Sequence, residues 1–273
     1  MKPTGRIRSA SAADWTIFLH LAAAEGWRVP AQEIELFQGP MADGVFVLEC
    51  DNAWCGFVTA ASHGASGWIG NLLVPPERRH AGWGGQLFDH AVAHLQGQGV
   101  KTLWLTASES GRPLYLKRGF LTVGGVTRWQ RQGGGECGAV RVSDSGSADW
   151  ADALVWGEPR RRLLDFLGAR GSWLSTGTTA ALLQHGETLQ ILGPWVSLSG
   201  WRGEAGLILE QACRHVGPGA ELLIDILDGS TLADLPREQG FTPVGHNLLM
   251  ARGPVDPAGL RRLVALASLG SFG

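Results

Sequence analysis

The chain predicts an α/β (α+β) fold made of two tandem mixed-sheet domains, the second a degenerate copy of the first. Three observations predict it. An apolar run, Trp68 to Val74, leads through a glycine-bearing turn into a helix whose Leu87, Phe88, Ala91, Val92 and Leu95 share one face. Around that unit the elements read strand, two helices, three strands, loop, helix, strand, short helix, strand. A shift of 121 residues then lays the chain on itself without a gap. Gly119-Phe120 falls on Gly240-Phe241, and Leu103 and Leu105 fall on Ile224 and Ile226. The five helix positions fall on Ile208, Leu209, Ala212, Cys213 and Val216.

Ile7 to Ala10 is a short strand, and Ser11 caps the helix that follows, with Trp15, Phe18, Leu19 and Ala22 on its apolar face. Gly26-Trp27 ends it, and Pro30 starts a second helix that runs to Phe37. Val45 to Cys50 is a strand, Asp51-Asn52 a tight turn, and Trp54 to Ala60 the antiparallel return. Trp68 to Val74 is the central strand and Thr102 to Thr106 the next. Gly133 to Gly135 and Ser143 to Ser147 are linker material, and Trp150 to Leu167 reads as a helical bridge. Its Arg160-Arg161-Arg162 run reads as a solvated face or salt-bridge set rather than a phosphate contact. Thr176 to Ala251 repeats the first half. Pro254 to Gly273 is a tail with a short apolar helix (Leu260, Leu263, Val264, Leu266) and no legible role. The domains therefore divide as 1–131, 132–167 and 168–273.

Composition narrows the function. At 44% hydrophobic and 18% charged, 273 residues can bury two cores. A formal charge of −2 argues against a bulk electrostatic nucleic-acid binder. No apolar run has membrane-span length and no charged start leads into a signal core, so a cytoplasmic protein without a membrane partner is expected. Cys50, Cys55, Cys137 and Cys213 lack Cys-x-x-Cys spacing and read as free thiols. His90 and His94 stand four apart on a polar helix face with no third ligand nearby, so no metal is expected and the pair reads as solvated.

The turn itself is an anion cradle. Residues Arg79 to Gly84 can aim backbone N–H groups at one point, and the helix start adds its free N–H groups and dipole. Gly82 and Gly84 remove side chains that would hold a phosphate away. A Walker loop would require Gly-Lys-Ser or Gly-Lys-Thr, and a dinucleotide fingerprint three spaced glycines; Gly82, Gly84 and Gly85 fit neither.

Arg79-x-x-Gly82-x-Gly84 resembles the pyrophosphate loop of the GNAT superfamily, the acetyl-CoA-dependent N-acetyltransferases. Leu114-Tyr115-x-x-x-Gly119-Phe120 strengthens the likeness, which covers roughly Ile7 to Gln130. The resemblance implies an enzyme that moves an acetyl group from acetyl-CoA to a primary amine of a small molecule. A non-catalytic acyl-CoA sensor and a protein or peptide lysine acetyltransferase are the alternatives, and a homodimer is allowed.

By the resemblance, Arg79, His80, Ala81, Gly82, Trp83, Gly84 and Gly85 hold the pyrophosphate. The backbone of Leu72, Leu73 and Val74 pairs with the pantetheine arm, and Ser108 stands where the family often has a pantetheine-contacting asparagine. Arg78 reaches the 3′-phosphate or is a surface charge. Tyr115 meets the thioester sulfur and donates to the leaving thiolate, or else is a core aromatic beside Phe120. For the base, the central strand offers Asn71 and no carboxylate; Glu49 and His63 are candidates by neighbourhood only. In the second half Arg79 maps to Gly200, Gly84 to Ala205, Tyr115 to Pro236 and Trp83 to Glu204, so that half reads as a domain without its own cofactor.

Overall fold

Near-continuous buried runs in β-strands Val45–Cys50 and Ala53–His63, together with one-sided apolar helices, require a sheet covered by helices. A computed structural model shows this arrangement and describes residues 5–51, 53–134 and 146–273, with side chains from 149 in the last stretch. The linker between Gly135 and Ser145, Cys137, and Asn52 of the tight turn lie outside them. Contacts divide the chain into two units: Met1–Leu105 with Gly270–Phe272, and Thr106–Leu269 with Gly273.

In the first unit β1 (Arg6–Ser9), β2 (Val45–Cys50), β3 (Ala53–His63), β4 (Ser66–Leu73) and β5 (Thr102–Ala107) lie in that order, the end of β5 passing into the second unit. The first three junctions are antiparallel, and β4 and β5 are parallel. That parallel register covers Ser66↔Thr102, Gly67↔Leu103 and Trp68↔Trp104. From Ile69 onward the described pairing of β4 is with β3.

Helix α1 (Ala12–Ala24) begins as Ser11 predicts: the Ser11 backbone N–H and Oγ both donate to Asp14 Oδ2, at 2.7 and 2.6 Å. Arg8 adds two bonds to the same carboxylate and a third to Glu49. Helix α2 (Ala31–Gln38) follows Pro30. Trp15, Phe18, Phe37 and Phe57 pack as one aromatic cluster, with Phe18 and Phe57 stacked at 4.4 Å. On α3 (Trp83–Gly97) all five predicted core positions are buried. His90 and His94 are half-buried on the exposed side of α3, and both also pack edge-on against Phe46, at 4.5 and 4.9 Å. Burial and the neighbouring His94 lower the His90 pKa.

The tail has a place in this unit. Trp68 Nε1 donates to the Gly270 carbonyl at 3.0 Å, His63 Nε2 lies 3.0 Å from the Phe272 carbonyl, and the Phe272 ring meets Phe37. Gly70 makes the approach possible, because a Cβ there would stand 2.5 Å from the Ser271 carbonyl oxygen.

The second unit contains α4 (Arg112–Leu116), β6 (Leu121–Gln132), α5 (Gly146–Trp156), α6 (Arg161–Gly168), β7 (Gly171–Thr176), β8 (Thr179–Gln184) and β9 (Leu189–Ser197). It continues with α7 (Arg202–His215), β10 (Glu221–Leu227), α8 (Leu235–Glu238), β11 (Thr242–Arg252), α9 (Pro257–Leu260) and β12 (Leu263–Ala265). Its strands run β11-β6-β10-β12-β9-β8-β7. The repeat is visible in its core: Ile208, Leu209, Ala212, Val216, Ile224 and Ile226 are buried, like their partners in α3 and β5. The same shift carries β6 onto β11.

In this unit two features depart from the sequence reading. Strand β6 follows the first half in sequence but lies between β10 and β11, antiparallel to both. The apolar residues Leu263 and Val264 form β12, a strand rather than a helix. Their spacing suits either, and here the backbone finds partners on both sides: Ala265 pairs with Ile226 of β10 and Trp195 of β9. Arg160 is 2% exposed and binds Asp152 and the Gly273 carbonyl, so it is a structural ion pair. Cys50, Cys55 and Cys213 are free thiols.

The Arg8 guanidinium and the Ser11 bonds hold the Asp14 carboxyl down to about 2. A depressed carboxylate contributes stability that is complete above its unfolded value, near pH 4, and is lost as pH falls through about 2. Asp14→Asn should therefore lower stability at neutral pH and flatten the acid limb of a urea-denaturation series between pH 5 and roughly 2. An unchanged acid limb would show that the carboxylate is not anchored this way.

Candidate functional site

Strand β4 carries a bulge where it leaves its parallel neighbour. The register with β3 shifts between Phe57 and Thr59, and Asn71 opposite takes φ 52°, a left-handed conformation that asparagine tolerates better than most residues. A bulge re-aims its side chain. The Asn71 amide Nδ2 donates to Glu33 Oε1 on α2 at 2.8 Å, and Glu33 is 3% exposed. The sequence reading did not single out Glu33. Nothing local marks it: it looks like an ordinary acidic residue in a first helical turn.

Leu72, Leu73 and Val74 continue from the bulge, with Leu73 buried and its neighbours half-buried. Pro76–Arg78 make one 3₁₀ turn, and the loop follows. His80 takes φ 64° and Gly82 φ 90°. Left-handed residues interspersed in a turn bring successive N–H groups to one side, the geometry of an anion-binding concavity. Gly82 is the N-cap of α3, and the first bond back to it comes from the Gln86 N–H. The N–H groups of the first helical turn have no partner within the helix and point along its axis. An added Cβ at Gly84 would touch only Val74 Cγ2, at 3.6 Å, so internal packing does not require glycine there.

Side chains around this loop have separate tasks. Arg79 donates from Nε to the Val74 carbonyl at 3.0 Å and pairs with Glu25, so it braces the loop against the strand that precedes it. Trp83 is buried, with its ring beside Gly5, which leaves its backbone for the loop. His80 and Ala81 are exposed. The candidate bases lie elsewhere. Glu49 is engaged by Arg8, and His63 sits at the hairpin end of β3, opposite Ser66, far along the strands from Asn71.

The second unit holds the other predicted residues. Ser108 Oγ accepts from the Gly111 N–H at 3.2 Å and lies 3.0 Å from Ser110 Oγ, so it shapes the turn into α4. Tyr115 on α4 is half-buried, with its ring 6.4 Å from Phe120 and tilted against it. Burial pushes its phenol up to about 12, against a smaller opposing pull from Arg118.

The repeat loop at Gly200–Ala205 is built differently. Trp201 lies against Gly203, where a Cβ would stand 2.9 Å from the indole. Glu204 accepts from the Thr178 N–H and Oγ, placing the chain's own carboxylate at the start of α7. The strands β9 and β10 pair in parallel over Leu189–Ile191 and Glu221–Leu223, and β12 then enters between them. Among the described residues no group of three His, Cys, Asp or Glu side chains could hold a metal, and no helix is long and apolar enough to cross a membrane.

A bulged central strand, a turn with left-handed residues and a helix N-terminus follow one another on the mixed sheet of an α/β domain. Residues 42–121, which include the whole turn and Tyr115, match the family model for the acetyltransferase (GNAT) domain. The fold is shared over the full length with a Pyrococcus horikoshii protein described as an acetyltransferase, at TM-score 0.82 and 19% identity, covering 98% of this chain and 96% of that one. A GCN5-related N-acetyltransferase from Sphaerobacter thermophilus aligns at TM-score 0.66 and 15% identity, over 93% and 98% of the two chains. A Thermoplasma acidophilum protein described as an acetyltransferase aligns at 0.57 and 14%, over 91% and 100%. At these identities the likeness is one of fold. Comparison with curated protein sequences gave no match.

Gly82→Ala tests the loop. A side chain at φ 90° costs about 1–2 kcal/mol, although there is open space for the methyl group. The variant should melt lower than wild type by a few degrees. Equal melting would mean that the left-handed turn is not held.

Proposed function

We propose that the chain is an acetyl-CoA-dependent N-acetyltransferase acting on a primary amine of a small molecule. The observation that carries the proposal is the left-handed turn at His80–Gly82 leading into α3, within the segment that matches the GNAT model. In this reading the backbone of Arg79–Gly85 holds the pyrophosphate of acetyl-CoA, with Arg79 bracing the loop through Val74. Leu72, Leu73 and Val74 offer their backbone to the pantetheine arm, and an N–H there stabilises the oxyanion. Ser108 adds a hydroxyl toward the arm.

In this reading Tyr115 is a hydrogen-bond donor at the thioester sulfur. A phenol near 12 is protonated throughout the neutral range. Full proton transfer from it to a thiolate, whose conjugate thiol has a pKa of about 8.5, is uphill. Tyr115 therefore donates a hydrogen bond that stabilises the departing thiolate. A hydrogen bond to a charged group contributes about 1.5–3 kcal/mol, so Tyr115→Phe should lower kcat roughly 10- to 100-fold and leave acetyl-CoA binding intact. A Tyr115→Phe enzyme with wild-type kcat would remove the residue from the reaction.

The cofactor site is tested by thermal shift. Acetyl-CoA at a hundred times its Kd should stabilise the wild type by about 2.7 kcal/mol, and Arg79→Glu should abolish the shift. No shift with millimolar acetyl-CoA would end the transferase reading.

A further inference from the structure

Acetyl transfer to an alkylamine needs a group that takes a proton from the amine, because the free amine has a pKa of about 10. Strand β4 carries no carboxylate, and Glu49 and His63 are engaged elsewhere. The structure brings one in from α2. Resting on the transferase reading above, we propose that Glu33 is the residue that binds the acceptor's ammonium group and removes its proton, held in place by Asn71.

Three observations converge on this pair. Glu33 is a carboxylate 3% exposed, in a position that ordinary surface acids do not occupy. Its Oε1 accepts from Asn71 Nδ2 at 2.8 Å, and an amide nitrogen can only donate, so the bond orients the carboxylate as an acceptor. Asn71 makes that bond from a left-handed bulge, and bulges re-aim side chains and are over-represented next to active sites. The bulge lies directly before Leu72–Val74, the stretch assigned above to the pantetheine arm. Beside it the Ser271 backbone lies against Gly70, and Phe272 packs on Phe37 of the same helix as Glu33.

The step balances as follows. The carboxylate of Glu33 takes one proton from R–NH3⁺ and becomes a carboxylic acid, which later returns that proton to solvent. The neutral nitrogen forms a C–N bond to the thioester carbonyl carbon, and the C–S bond breaks as the tetrahedral intermediate collapses. The second proton lost by nitrogen ends on the coenzyme's sulfur. Products are the amide and the free thiol.

The test measures thiol release from acetyl-CoA with n-butylamine, a diamine, an amino sugar and an aminoacyl amide, across pH 6 to 10. Glu33→Gln keeps the shape and the Asn71 contact. It should retain the acetyl-CoA thermal shift and lose about 10²- to 10⁴-fold in kcat/KM near pH 7. The deficit should shrink as pH approaches 10, where the amine deprotonates unaided. A loss equal at every pH, or no loss, overturns the proposal and leaves the transferase reading standing. Should Glu33→Gln not fold, Asn71→Gly tolerates the left-handed backbone and removes the orienting bond; it should show a smaller deficit with the same pH trend, and a wild-type profile overturns the proposal. A wild type that shifts with acetyl-CoA but releases no thiol with any amine defeats the transferase reading and this inference together.

Discussion

Parallel strands that diverge within a sheet leave backbone donors and acceptors facing a gap, and a folded chain must satisfy them. Much of this structure depends on how that constraint is met twice. In the second unit β9 and β10 pair over three positions, and β12 then supplies the missing partner to both. In the first unit β4 passes directly to β5 in the sheet order, and the pairing covers three positions before the bulge at Asn71. One half closes its splay with its own chain; by the proposed function, the other closes it with the pantetheine arm.

The two loops follow the same division. Around Gly82 an added Cβ would meet nothing, and around Gly84 only one ordinary contact. Around Gly203 the Trp201 indole already fills that place, and Glu204 brings a carboxylate to a helix start that in α3 has no acidic residue in its first turn. A helix N-terminus favours a negative charge whether it comes from a guest or from the chain. In the second unit Glu204 and the strand β12 thus occupy, from within the chain, the two places that the proposed function gives to the coenzyme in the first.

Much of this was legible from residues alone. Periodicity gave the buried face of α3, and the ungapped shift gave its repeat in α7, because both signals are local and the shift preserves spacing. The turn at Arg79–Gly85 was legible because glycine and arginine types at fixed offsets report backbone needs. Glu33 was not, since its meaning lies in a contact with Asn71 across the fold. The tail was not, since three residues such as Leu263–Ala265 carry no period that separates helix from strand. The place of β6 between β10 and β11 was hidden for the same reason: alternation tells a strand which face to bury, and does not name its neighbours. His90 and His94 appeared polar by type, while their carbon edges pack on Phe46.

Gly270–Phe272 belongs to the first unit although it follows Thr106–Leu269 of the second in the chain. Ribosomes deliver roughly 5–20 residues per second, and N-terminal domains ordinarily fold as they emerge. Here the first unit lacks the Gly270 carbonyl that accepts from Trp68 and the Phe272 ring that packs on Phe37 until those residues have been made. A chain cut to residues 1–131 would lack those tail contacts and leave the Phe272 side of Phe37 uncovered.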